Sequence, residues 1–192
     1  MTINPQVING SWNEGYVLDK HIIESIYLGD NVYGHAQYDT KRSALGELIY
    51  QLKYKQNYNK LDDILTLIKP FLDSWGIASK IDVILPIPAS NVRDRQPVYE
   101  LAQKIAEYLN VHCADDVLCK VKSTSAKNMS TDEKEQLEGT IHATKLAVKK
   151  HNLLLIDDLY QTGKTLDECV KILRRDPLLE NIYVLVMTKT RG

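Results

Sequence analysis

The chain has 192 residues, enough for one α/β unit with a full core, and a net charge of −1. That balance excludes a broad electrostatic attraction to nucleic acid or to an anionic membrane. Three scattered cysteines, Cys113, Cys119 and Cys169, exclude a disulfide framework and a zinc knuckle, and no apolar stretch approaches the about 20 residues of a membrane span.

In chain order, residues 15–26 alternate loosely with β-branched residues and predict one or two short strands. Residues 29–34, rich in Gly, Asn and Asp, read as a turn. Ser43 is an acceptable N-cap for a helix carrying Leu45, Leu48, Ile49 and Leu52. A second helix over 61–75 has Leu61, Ile64, Leu65, Ile68 and Leu72 on one face. Residues 81–85 form a buried-strand run, ended by Pro86 and Pro88. Pro97 suits the first turn of a helix that repeats Val98, Leu101, Ala102, Ile105, Ala106 and Leu109, with Asn110 as C-cap. A strand is expected within 111–122 and a polar loop over 123–130.

Residues 153–156 are a second buried strand, running into Asp157, Asp158 and a loop over 159–165. Leu166, Cys169, Val170 and Leu173 then repeat at helical spacing, and 182–187 is a third apolar run. Strand, loop, helix, strand predicts a doubly wound, mostly parallel sheet flanked by helices. Ligands of such sheets sit outside the carboxyl ends of the strands. The loops over 86–95 and 157–165 both open there.

The stretch 153–165 carries the strongest chemistry. A helix N-terminus offers unpaired N–H groups and partial positive charge to a phosphate. Gly163 permits close backbone approach, Thr162 and Thr165 add hydroxyls, and Asp157 and Asp158 suit sugar hydroxyls rather than a phosphate. The set describes a sugar phosphate. Gly163-Lys164-Thr165 also matches the end of a nucleotide-triphosphate P-loop, but that motif needs glycine five residues earlier, where Asp158 stands.

This stretch resembles the phosphoribosyl pyrophosphate signature of type I phosphoribosyltransferases. More narrowly, Leu52-Lys53-Tyr54, Ile84-Leu85-Pro86-Ile87-Pro88, Arg93-Asp94-Arg95-Gln96-Pro97 and the loop over 157–165 make the chain similar to the ComF-type, competence-associated branch, without its N-terminal four-cysteine zinc module. Gln161 stands where the signature commonly has threonine.

The resemblance implies hood strands over 1–40 and a single phosphoribosyltransferase-fold unit over 41–192. It implies that Asp157 and Asp158 hold the ribose hydroxyls. Tyr160, Gln161, Thr162, Gly163, Lys164 and Thr165 would surround the 5-phosphate. Pro88, Ala89, Ser90 and Asn91 would form the pyrophosphate loop, with Arg93 or Arg95 neutralising the leaving group. Lys53 and Tyr54 would reach in from the hood. The implied ligand of this transferase is phosphoribosyl pyrophosphate with Mg²⁺; the lack of a signal-peptide pattern and of a membrane span sets the expectation of a cytoplasmic protein. The alternative is a non-catalytic ligand sensor, or a ComF-type partner of a protein or of single-stranded DNA, with Lys120, Lys122 and Lys127 as a small basic patch. A homodimer fits either reading; a membrane partner fits neither.

Overall fold

In the computed structural model, residues 2–89, 93–120 and 141–190 are described. Ten strands and four helices follow one another among them: β1 (Gln6–Val7), β2 (Glu14–Lys20), β3 (Ile22–Asp30), β4 (Ala36–Arg42), α1 (Ala44–Tyr54), α2 (Lys60–Trp75), β5 (Val83–Pro86), α3 (Pro97–Leu109), β6 (His112–Cys113), β7 (Leu118–Lys120), β8 (Ile141–Ala143), β9 (His151–Tyr160), α4 (Lys164–Leu173) and β10 (Leu179–Lys189).

The central sheet has six strands in the order β1-β2-β10-β9-β5-β6. Every pairing is parallel except β1 with β2. Parallel strands buried on both faces read as continuous apolar runs, as Leu153, Leu154, Leu155 and Ile156 do here, all fully buried. The pleat splits them. Leu154 and Ile156 pack with α1, α2 and α3 through residues such as Ile49, Ile68 and Leu101, while Leu153 and Leu155 pack with Leu166, Val170 and Leu173 of α4. Helices on both faces make this the doubly wound, mostly parallel α/β sheet that the sequence predicts.

From β5 the chain returns through α3 to β6 on one side, while β9 lies on the other. The strand order therefore reverses between β5 and β9. Such a switch point leaves a crevice at the carboxyl ends of the two strands.

The predicted helices start as their caps dictate. The Ser43 hydroxyl accepts from the Gly46 amide at 2.9 Å and donates to the Lys20 carbonyl at 2.6 Å, tying α1 to β2. Asn110 ends α3 in the left-handed conformation.

Two expectations need correction, and one further strand lies where the sequence carried no signal. The loop after residue 156 is shorter than the sequence suggests, because β9 continues through Asp157 and Asp158 to Tyr160, pairing with β10 as far as Lys189. Nothing in Asp157-Asp158-Leu159-Tyr160 obliges a strand to stop, so the parallel ladder carries it on. The stretch 111–120 holds two short strands in different sheets, β6 beside β5 and β7 beside β8. And residues 36–42, without an apolar alternation, form β4, the return strand of a hairpin with β3.

Within 1–40, β1 and β2 are hydrogen-bonded into the central sheet. Only the β3–β4 hairpin stands apart, extending to Arg42. The polar loop expected over 123–130, with Lys122 and Lys127, lies outside the described residues. No helix among the described residues is long and apolar enough to cross a membrane.

Candidate ligand site at the sheet switch point

The carboxyl ends of β5 and β9 are locked side by side: Pro86 pairs with Ile156, and the Ile87 amide donates to the Ile156 carbonyl at 2.9 Å. Beyond them opens a cavity of about 280 Å³. Its lining brings together Lys53 of α1, Pro88, Ala89 and Arg93 of the loop after β5, and Asp157, Asp158, Gln161 and Thr165 of the second loop. Elements distant in sequence meet at the switch point.

Period-2 alternation sends the two neighbouring acids to opposite faces. Asp158 follows Leu154 and Ile156 toward the α1 side, where its Oδ1 accepts from Lys53 Nζ at 2.8 Å. Asp157 follows Leu153 and Leu155 toward α4, and its Oδ1 accepts from the Asp158 amide at 2.8 Å. Burial pushes the Asp157 carboxyl up to about 7, and the Asp158 charge adds to the effect. One acid of the pair is paired with a lysine; burial holds the other well above the ordinary carboxylate range.

The second loop turns into a helix start with a small hollow beside it. Gly163 has φ +76° and caps α4, with no side chain capping the helix. Residues 159–166, together with Asp157, line a hollow of about 90 Å³. A Cβ on Gly163 would stand 2.8 Å from the Tyr160 hydroxyl and displace that side chain, while the positive φ itself favours glycine. Tyr160, Gln161, Thr162, Lys164 and Thr165 all border this hollow.

The arginines separate. Arg93 Nη1 donates to the Lys53 carbonyl at 2.6 Å and its side chain lines the cavity. Arg95 does not line it. Its guanidinium takes both carboxylate oxygens of Glu100, at 3.0 and 2.7 Å, and stacks 3.9 Å from the Tyr58 ring centroid. Glu100 lies in the first turn of α3, where an acid suits the helix dipole and an arginine just before it falls within reach. Tyr54 also lies off the cavity, exposed, with its ring 5.3 Å from that of Tyr50. Pro88 is buried and Ala89 half-buried, whereas Ser90 and Asn91 lie outside the described residues.

Sequence reasoning missed the support behind Asp158. His21 is buried, with Nδ1 3.1 Å from the Thr188 hydroxyl, which donates to the Asp158 carbonyl at 3.1 Å. Burial, then the nearby Arg42, lowers the His21 pKa. A lone histidine carries no local signal of this role. Gln96, Pro97 and Val98 also line the cavity; Gln96 and Pro97 sit in a quoted motif, and only the fold shows which side they face.

Fold and site together define a doubly wound α/β protein with a polar cavity and an adjoining small hollow at a glycine-capped helix start, both at its switch point. Compared with solved structures, the fold is similar to that of an adenine phosphoribosyltransferase, at a TM-score of 0.47 and 14% identity, covering 85% of each chain. It is similar to a glutamine phosphoribosylpyrophosphate amidotransferase from B. subtilis at a TM-score of 0.43 and 17% identity, covering 81% of this chain and 34% of that one. For the UMP synthase of Leishmania donovani the figures are 0.39, 16%, 83% and 27%. The chain thus spans about a third of the amidotransferase and about a quarter of the synthase. No family model and no curated protein sequence matches it.

Proposed function

We propose that the protein binds phosphoribosyl pyrophosphate at the switch point and transfers its 5-phosphoribosyl group to a nitrogen acceptor, releasing pyrophosphate. One observation carries this reading. A carboxylate pair, a glycine-capped helix N-terminus and two cationic side chains, Lys53 and Arg93, converge on one polar cavity with an adjoining hollow. A ribose phosphate bearing a diphosphate has the complementary groups: a diol for Asp157 and Asp158, a terminal phosphate for 161–165, and a diphosphate for Arg93 and the loop after β5.

The reaction breaks the bond between ribose C1 and a diphosphate oxygen and forms a bond from C1 to nitrogen. The oxygen keeps the electron pair, and the nitrogen loses a proton. The sugar passes through an oxocarbenium-like state, so the protein's work is to hold the sugar and stabilise charge. Arg93 offers a planar donor to the departing diphosphate. The first-turn amides of α4 anchor the far end.

The donor set bears on magnesium. Among the described residues no cluster of three or more carboxylate, imidazole or thiolate ligands exists, and Asp158 is already on Lys53. That suits a Mg²⁺ ion held mainly by substrate oxygens and water, with Asp157 the available carboxylate. Bound there, the ion would neutralise the leaving diphosphate.

We assign the chain to the ComF-type branch on Leu52-Lys53-Tyr54, residues 84–88 and residues 93–97, of which Lys53, Ile87, Pro88, Arg93, Gln96 and Pro97 line the cavity. The test is pyrophosphate release from phosphoribosyl pyrophosphate with Mg²⁺ across ammonium, simple amines, purines and pyrimidines. Release with one acceptor class, abolished in the Asp157→Asn, Asp158→Asn double variant, is expected. Binding without release for every acceptor would instead establish the non-catalytic sensor.

A further inference from the structure

We propose that the protein has a second ligand site, at the opposite edge of the central sheet, that takes a small amphipathic carboxylate: a ring or short alkyl body ending in a carboxylate group.

A cavity of about 440 Å³, larger than the first, opens at the amino ends of the same strands, bordered by Val83 of β5, His151 of β9 and Leu179 of β10. Its volume falls within the about 300–1,000 Å³ of small-molecule sites. On β9, Leu153 lines this cavity and Asp157, four residues on, lines the first. At about 3.3 Å per residue, one strand separates the two sites by about 13 Å.

The interior is apolar. Leu85 and Leu153 form the sheet side, Leu173 of α4 closes one wall, and Ile141 of β8 the other, all of them buried. Leu146 and Val148 flank the mouth at 78% and 92% exposure, so the apolar surface continues outward. This decides the body of the ligand.

The polar groups decide its head. Both wall carboxylates are engaged by backbone amides: Asp82 accepts from Asn152 at 2.8 Å, and Asp176 accepts from Ala147 at 2.7 Å and Leu178 at 3.0 Å. Lys145 is held by Asp116. The remaining polar side chains are the imidazoles of His112, His142 and His151, each able to donate through one ring nitrogen, and the guanidinium of Arg175, a donor only, which has no carboxylate partner among the described residues. His151 Nδ1 is buried with no hydrogen-bond partner among the described residues. Buried polar atoms are nearly always paired, so this nitrogen calls for a partner from within the cavity. A carboxylate on an apolar body supplies an acceptor to the imidazoles and a planar pair for Arg175.

The test is calorimetric titration of the full chain with phenylbutyrate, phenylbutanol and phenylbutylamine, which share a body and differ in head group. The acid should bind most tightly, by about tenfold over the amine. Arg175→Glu, an exposed substitution that spares the core, should remove that preference while leaving the titration with Mg-phosphoribosyl pyrophosphate unchanged. Equal affinities for the three compounds, no binding of any, or undiminished acid binding by Arg175→Glu would overturn the proposal. Because the first site is titrated separately, failure here is distinguishable from failure of the transferase reading.

Discussion

Lys53 of α1 and Asp158 of β9, 105 residues apart in the chain, meet in a 2.8 Å ion pair at the edge of the central sheet. The pair links the helix beside the hairpin to the strand end where the sugar is proposed to bind. Arg93, in the loop after β5, joins this pair through its hydrogen bond to the Lys53 carbonyl. Lys53 thus balances Asp158, and on the proposed function it would face the diphosphate once a diol engages the carboxylate.

Lys53→Met should therefore weaken phosphoribosyl pyrophosphate more than ribose 5-phosphate. Hydrogen bonds to charged groups contribute about 1.5–3 kcal/mol, or roughly ten- to a hundredfold in affinity. Parallel calorimetric titrations of the two ligands check this. An equal loss for both would assign Lys53 to the fold alone.

The two arginines should differ in the same assay. Arg93→Ala is expected to weaken the diphosphate ligand by roughly tenfold or more. Arg95→Ala, which removes an exposed pair with Glu100, should leave binding within about twofold. The sequence leaves this choice open, since both residues sit in one short polar stretch. The structure separates them because Glu100, in the first turn of α3, captures the second.

Gly163→Ala is expected to abolish ligand binding in the hollow and to cost about 1–3 kcal/mol of stability, the scale of strained backbone. The added Cβ meets positive φ and the Tyr160 hydroxyl together. A combined Gly163→Ala, Tyr160→Phe variant should recover part of the stability but not the binding, as thermal unfolding and titration would show.

Asp157 predicts a pH dependence. Its carboxyl is raised from the ordinary range near 4 to about 7, chiefly by burial. Between those values the folded state binds more protons than the unfolded one, so this group makes stability fall as pH rises through about 4 to 7. Asp157→Asn should flatten that slope and raise the unfolding temperature relative to the parent at pH above about 7. A slope unchanged by the substitution would place the titration elsewhere.

The strand-loop-helix order around 153–173 is legible in sequence because its signals are local: an apolar run, paired acids, a glycine, then helical periodicity. The extent of β9 is not, because whether Asp157 and Asp158 leave the strand depends on β10 continuing beside them. β4 escapes for the opposite reason. Ala36-Gln37-Tyr38-Asp39-Thr40-Lys41-Arg42 is almost wholly solvent-facing, so no buried face imposes an alternation. Long-range pairs such as Lys53 with Asp158, or the His21–Thr188 support behind the site, leave no mark in local spacing.

The central claim is tested most directly by calorimetric titration with phosphoribosyl pyrophosphate plus Mg²⁺, with ribose 5-phosphate as comparison. Saturable one-to-one binding, tighter for the pyrophosphate form and lost in the Asp157→Asn, Asp158→Asn double variant, is the predicted result. Absence of binding to either ligand by the folded chain would contradict it.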